Sequence, residues 1–315
     1  MTKKRSRVFA PASIANLGSG YDIFGVAIEK PGDIVEARRT LEPGVNFNLQ
    51  TIQKDVPTTS KKNVAAHVAS LMLEEFKPPF GIDMTLYKYM PIGSGLGSSA
   101  ASSVASVVAV NELLQKPLPR KELLRFAVEG ERLASGSPHA DNVAPSLLGG
   151  VCLIRSYAPL DVITIPVRKS FYWVVVHPHV IVQTKEARSI LPKNILLTAA
   201  VRQWGNVSGL TAGLMMGDVA LAGKCMEDII AEPVRAKLIP AFDEVKRAAL
   251  ANGAAGCSIS GSGPSVYALT SSLKQARIIG KAMRDVFTNE AQIESEMYVS
   301  STNLNGAYII YSGKE

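Results

Sequence analysis

The chain has 315 residues, 47% hydrophobic and 19% charged, a soluble globular composition long enough for one large domain or two ordinary ones. A formal charge of +7 admits an anionic partner, but aromatics are only 6% and the basic residues are scattered, which argues against a nucleic-acid platform. No apolar run reaches the roughly 18–20 residues of a membrane helix, and Cys152, Cys225 and Cys257 stand too far apart to predict a disulfide framework or a zinc site.

In chain order, the basic start at Met1 is followed by Pro11 and Ser13, where a signal peptide would need an unbroken apolar stretch, so a cytoplasmic enzyme is expected. Short strands are expected at 7–11, 25–28 and 33–38. A polar turn stretch over 54–62 precedes a helix over 64–76, where Val64, Val68, Leu71 and Met72 recur at helical spacing. Ile82, Met84 and Leu86 alternate with Asp83, Thr85 and Tyr87, which predicts a strand over 82–90. It runs straight into a Gly/Ser-rich segment that opens a long Ala/Ser/Val helix ending near Leu114. A helix over 121–134 and strands at 151–155 and 162–166 follow. Beyond residue 171 come an apolar strand at 173–176, helical material to about 250, strands at 257–259 and 266–269, a helix over 273–287 and a closing strand at 307–311. His177 and His179 could share a strand face, but two ligands do not make a metal site. The alternation predicts an α+β or α/β class with two subdomains, 1–168 and 169–315, and an active site between them.

The strongest signal is Pro91-Ile92-Gly93-Ser94-Gly95-Leu96-Gly97-Ser98-Ser99-Ala100-Ala101-Ser102-Ser103. Glycines at alternate positions let the backbone take positive φ and approach an anion with no Cβ in the way. Ser98 and Ser99 then start a helix, whose free N–H groups and positive dipole end favour phosphate. Their hydroxyls can cap the helix or reach a magnesium ion. The Walker A pattern fails because no lysine follows Gly97, and the dinucleotide pattern fails because Ser98 stands where its third glycine belongs.

This segment resembles the second motif of the GHMP kinases, and Gly256-Cys257-Ser258-Ile259-Ser260-Gly261-Ser262-Gly263-Pro264-Ser265 resembles their third. Within that family, Pro11-Ala12-Ser13-Ile14-Ala15-Asn16-Leu17-Gly18-Ser19-Gly20-Tyr21-Asp22 is similar to the first motif of homoserine kinases, with Ser19 where many have proline and Tyr21 where phenylalanine is common. The stretch His139-Ala140-Asp141-Asn142-Val143-Ala144-Pro145 is similar to a second signature of that group. The resemblance implies a two-subdomain GHMP fold, with an N-terminal ATP-binding part and a C-terminal ferredoxin-like α/β sandwich. It implies ATP-dependent phosphorylation of L-homoserine, a step toward threonine, and possible homodimer formation. Another GHMP kinase, of the mevalonate or sugar type, and a non-catalytic nucleotide-binding relative are the alternatives.

By the same resemblance, ATP meets Pro91, Gly93, Ser94, Gly95, Leu96, Gly97, Ser98, Ser99, Ala100 and Gly261, with Asn63 in the stretch that faces adenine. Asn16, Asp22, His139, Asn142 and Gly261 surround the amino acid, and Arg188 and Arg235 grip its carboxylate, a task suited to a planar bidentate donor. Asn142 lies near the acceptor hydroxyl and Thr184 near the transferring phosphate, while Asp141 is the available aspartate, expected to orient the site more than to remove a proton. For Mg²⁺ the spacing itself helps. Leu124, Val128 and Glu131 share an apolar stripe, whereas Glu129 falls with Glu122, Arg125 and Arg132 on a solvated one. An acid on the buried stripe needs a cation, and the resemblance pairs that glutamate with Ser99.

Overall fold

A computed structural model describes residues 3–53, 55–167 and 171–313 of the chain. The order of elements is β1 (Arg5–Ala15), β2 (Phe24–Thr40), β3 (Val45–Thr51), α1 (Val64–Phe76), β4 (Gly81–Lys88), α2 (Ser98–Leu113), α3 (Leu124–Ser135), α4 (Val143–Leu148), β5 (Val151–Tyr157) and β6 (Leu160–Ile165). It continues with β7 (Tyr172–Pro178), α5 (Thr184–Ser189), α6 (Leu197–Met216), α7 (Val219–Lys224), α8 (Glu232–Arg235), α9 (Phe242–Ala251), β8 (Gly256–Ile259), β9 (Val266–Thr270), α10 (Leu273–Asn289), β10 (Ser295–Ser301) and β11 (Tyr308–Gly313).

Two sheets result. The larger runs β11-β1-β2-β4-β3, with β5 joined to β2 and β6 to β5. Among the described residues only β3 and β4 pair in parallel, and the crossover that parallel strands require is supplied by α1. The strands expected at 25–28 and 33–38 are one continuous strand. Lys30-Pro31-Gly32 looks like a turn in sequence, but β2 carries through it, pairing its first residues with β5 and its last with β4 while β1 spans both, with a register shift between Pro11 and Ser13. Strands β3 and β10 were not expected. The first is an edge strand in which Val45, Phe47 and Leu49 alternate with Asn46, Asn48 and Gln50, a period-two signal that sequence reasoning passed over, whereas the second begins on Ser295 and Glu296 and has no clean apolar alternation.

The smaller sheet, β10-β7-β9-β8, is antiparallel throughout. Its two faces belong to two cores. Val174, Val176, Val266 and Ala268 pack with Phe242, Val245, Ile279, Met283 and Phe287 of α9 and α10. The alternate residues Trp173, Val175, Tyr267 and Leu269 join the main core with Ile14, Phe24, Val26 and Leu210. Burial on both faces is why Trp173 to Val176 is unbroken apolar sequence. Residues 168–170, on which the expected boundary falls, lie outside the described residues, and β11 returns from the C-terminal end to pair with β1.

Helix α2 is the axis of the site. Nearly every residue on it is buried, as expected of a helix apolar or small all round. Two bonds tie it to its neighbours: Ser106 Oγ donates to the Ala65 carbonyl (2.6 Å), and the Ser6 hydroxyl of β1 donates to the Ala109 carbonyl (2.7 Å). That packing fixes the helix start relative to β1 and β4.

Candidate active site

The segment from Gly93 to Gly97 takes the left-handed conformations its glycines predict, with φ of +64°, +76° and +67°. At two of them glycine is needed for space as well. A Cβ on Gly95 would lie 2.7 Å from the Gly263 carbonyl oxygen, and one on Gly97 would lie 2.8 Å from Asn142 Oδ1. Gly97 is the N-cap of α2, and no side chain caps the helix there, so the first-turn N–H groups are left to a ligand. The Ser98 hydroxyl turns back to the Met90 carbonyl (3.4 Å), while Ser99 faces the cleft beside Glu131. Leu96 and Ala100 are fully buried, and neither they nor Pro91 lines the cleft. Asn63 lines it, but its side chain is committed to capping α1, accepting from Ala65 N (3.0 Å) and donating to Pro57 O (2.8 Å).

The second glycine-rich loop clips onto the first. Ser260 Oγ donates to the Gly95 carbonyl (2.6 Å) and Ser265 Oγ to that of Ser94 (2.5 Å). Next to them, Gly261 accepts at its carbonyl from Asn16 Nδ2 and Arg235 Nη1, both at 2.9 Å. Thr184 Oγ1 is 3.4 Å from Ser262 Oγ. His177, the buried strand histidine, is 3.2 Å from Ser265 Oγ, a supporting bond rather than a metal contact.

The remaining polar residues gather on the other side of Gly97. Ser13 Oγ donates to Asn142 Oδ1 (2.8 Å). Asn16 and Asp22 sit at positive φ, and the Asp22 N–H donates to Asn16 Oδ1 (3.1 Å). Thr184 and Arg188 are one turn apart on α5, and Arg188 grips Asp22 with both guanidinium nitrogens, at 3.0 and 2.8 Å. Its Nη2 is 3.4 Å from His139 Nδ1. Arg235 is buried on α8, also bonded to the Ala187 carbonyl (3.1 Å). Between the two arginines lies the Tyr21 ring, 5.0 Å from Arg235 Cζ and 5.5 Å from Arg188 Cζ, a stack that sequence reasoning noted only as a departure from phenylalanine.

Charge is tuned throughout this region. Burial, reinforced by the nearby Asp22 and Glu131 charges, pushes the Asp141 carboxyl up to about 7. Burial also raises Glu131, against the pull of the Ser99 hydroxyl and the Lys88 ammonium. His139 is lowered by burial and then by Arg188, so it is neutral at pH 7. Glu131 is 7% exposed, as its stripe predicts, and its Oε1 has no hydrogen-bond partner, whereas Glu129 pairs with Arg132 in solvent. Among the described residues no cluster of three or more His, Cys, Asp and Glu forms a metal cage, and the three cysteines are buried and free.

Asn16, Asp22, Gly97, Ser99, Glu131, Asp141, Asn142, Thr184, Arg188 and Arg235 line one cleft of about 640 Å³. Its floor also holds Ser102, from the end of the Gly/Ser-rich segment, and Lys88, which sequence reasoning passed over. Lys88 stands three residues before Pro91 on the strand that feeds the loop, in step with Ile82, Met84 and Leu86 on its buried face, and a lysine at that position was the available signal.

The comparisons agree with this architecture. Family models for the GHMP kinase N-terminal domain and the GHMP kinase C-terminal region match residues 63–150 and 208–289. A homoserine kinase of Chlorobaculum tepidum is 47% identical, the match covering 96% of this chain and 97% of that one. One from Pyrococcus abyssi is 41% identical over 95% and 97%. The crystal structure of homoserine kinase from Cytophaga hutchinsonii superposes with a TM-score of 0.93 at 51% identity, covering 98% of each chain. The mevalonate kinase of L. major, at 18% identity and a TM-score of 0.75 over 96% and 99%, shares the fold.

Proposed function

The chain belongs to the GHMP kinase family, among its homoserine kinases, and we propose that its cleft transfers the γ-phosphoryl group of ATP to the hydroxyl of L-homoserine, giving O-phospho-L-homoserine and ADP. The observation that carries this is the meeting of Gly97 and Asn142. The end of the phosphate loop and a residue of the polar pocket share a wall, with 2.8 Å between the Asn142 amide oxygen and the place a Cβ would take. Donor phosphate and acceptor hydroxyl would meet there.

Phosphoryl transfer through a loose transition state is won by positioning and charge neutralisation. The first-turn N–H groups of α2 and the backbone of Gly93 to Ser99 hold the phosphates. Asn142 Oδ1 is occupied by the Ser13 hydroxyl, which fixes the amide and leaves its NH₂ to donate to the acceptor oxygen. Asp22 receives the substrate ammonium, Arg188 and Arg235 its carboxylate, and Thr184 steadies the transferring group. Asp141, its carboxyl pushed up to about 7 and so only partly ionised at neutrality, is assigned to orienting the pocket rather than to removing a proton. The hydroxyl proton is lost late, once the new P–O bond has drained charge from that oxygen, and passes to an oxygen of the transferred phosphoryl group and on to water. Mg²⁺, when bound, supplies positive charge to the β- and γ-phosphates. Glu131 and Ser99 fit it, since a buried carboxylate oxygen without a partner lies beside a hydroxyl in the cleft. One or two protein oxygens suffice for an ion that takes the rest of its shell from phosphate and water.

The same proposal divides the chain into parts 1–168 and 169–315, places the reaction in the cytoplasm on the way to threonine, and expects a homodimer. Light scattering on the purified protein checks that last point. No described helix is long and apolar enough to cross a membrane. ADP release with homoserine, mevalonate and galactose side by side tests the activity. No turnover with homoserine, or faster turnover with another alcohol, would overturn it.

A further inference from the structure

Beneath the phosphate loop lies a charged pair that the mechanism above leaves unused. Asp33 on β2 is fully buried, Lys88 at the end of β4 is 4% exposed, and the two form an ion pair. Asp33 Oδ1 accepts from the N–H groups of Tyr89 (3.0 Å) and Met90 (3.1 Å), the residues that lead into the loop. Its Oδ2 accepts from the Ser102 hydroxyl (2.7 Å) as well as from Lys88. Lys88 Nζ donates onward to the Ser98 carbonyl (2.7 Å) and to Ser102 Oγ (3.0 Å). All three ammonium donors are therefore spent, and the carboxylate takes four bonds.

The consequence is geometric. The entrance of the loop, at Tyr89 and Met90, and its exit, in the first turn of α2, hang on one carboxylate and one ammonium. A buried ion pair adds little stability over well-packed apolar residues, because desolvating two charges offsets their attraction. Apolar residues, however, could not reach two backbone N–H groups on one side and a helix carbonyl on the other. Donors that are already in place when the anion arrives bind it without reorganising.

We propose that Asp33 and Lys88 are positioning residues for the nucleotide, setting the phosphate loop from behind so that its N–H groups stand ready for ATP. This rests on the assignment of that loop to the phosphates of ATP. A purely structural pair would instead be replaceable by any neutral pair that restores stability.

The test is ATP affinity by calorimetry with Mg²⁺ and no acceptor, alongside steady-state kinetics and Tm. Lys88→Met should weaken ATP at least about tenfold, the loss expected for a hydrogen bond from a charged group. The KM for homoserine should stay within about twofold, because the acceptor pocket lies beyond Gly97 and shares no bond with the pair. Lys88→Arg should recover part of the ATP affinity. The neutral double variant Asp33→Asn/Lys88→Met should regain Tm relative to Lys88→Met yet still bind ATP weakly. If that double variant bound ATP like wild type, or if both KM values rose together, the proposal would fall. Should Lys88→Met not fold, Ser102→Ala reads the same coupling with the pair intact: ATP should weaken about threefold, and unchanged affinity would count against the inference. Wild-type protein that bound no ATP would bring down the reading of the cleft itself, a different and recognisable result.

Discussion

Removing the Arg188 side chain probes the acceptor pocket most directly. In the unliganded protein the guanidinium is committed to Asp22 through two bonds of 3.0 and 2.8 Å, so substrate must exchange with an existing partner. A zwitterion does this without leaving a charge bare, its carboxylate taking Arg188 and its ammonium taking Asp22. In Arg188→Leu the carboxylate loses a charge-assisted fork, about 1.5–3 kcal/mol per bond in a dry site. Two effects reduce that figure. The side chain is 35% exposed, so water screens the interaction, and Asp22, freed of its partner, receives the ammonium more readily. Arg235, already bonded to two backbone carbonyls, can replace only part of the grip. The expected net loss is about 1.5–2.5 kcal/mol, or roughly a 10- to 70-fold rise in the KM for homoserine. The KM for ATP should move less than about twofold, since Arg188 makes no bond to the phosphate loop. Coupled ADP-release kinetics, with each substrate varied at saturation of the other, separates the two. An equal rise in both KM values would show that Arg188 holds structure rather than substrate and would refute the argument.

Three further outcomes are expected. Glu131→Gln should lower kcat about a hundredfold or more and shift the Mg²⁺ requirement upward, the loss typical of a group that neutralises developing charge; an unchanged Mg²⁺ titration would remove Glu131 from the metal site. Gly95→Ala must place a Cβ at φ +76° and 2.7 Å from the Gly263 carbonyl, so ATP binding by calorimetry should vanish while far-ultraviolet circular dichroism is retained; full ATP affinity would contradict the loop geometry. Folding raises Asp141 from its ordinary 3.8 to about 7, so the native state keeps a proton that the unfolded chain releases. Its contribution to stability is fully present below pH 3.8 and is lost as the pH climbs through about 7; Asp141→Asn should therefore lose less Tm than wild type across that window, and parallel curves would disprove the shift.

What was legible in the sequence was what local chemistry dictates. Glycines at 93, 95 and 97 announce left-handed backbone wherever they fall, and three of them before an apolar helix leave few alternatives. Glu131 and Glu129 differ by a rotation of 200° about the helix, which periodicity resolves without a structure. Motif resemblance gathered Asn16, Asp22, His139 and Asn142 and the two arginines, but not their pairing, so the Asp22–Arg188 contact came only with coordinates. Lys88 was hidden for a related reason. It falls in step with Ile82, Met84 and Leu86 on the inward face of β4, which marks a buried ammonium but not its partner, since Asp33 lies 55 residues earlier. Contacts between β2 and β4 leave no trace in either segment alone. Tyr21 was missed because a ring wedged between two cations looks, in sequence, like any core aromatic.

The sheet shared between two cores has a bearing on how such an enzyme could be rebuilt. Trp173, Val175, Tyr267 and Leu269 pack against residues such as Ile14, Phe24 and Val26, and β11 closes the edge beside β1. A gene severed near codon 168 would yield two fragments, each baring an apolar face that only the other covers. Neither half is a cassette to be traded alone with a sister kinase: a chimera would have to carry its matching side chains across the seam, or recover activity only when both pieces are expressed together.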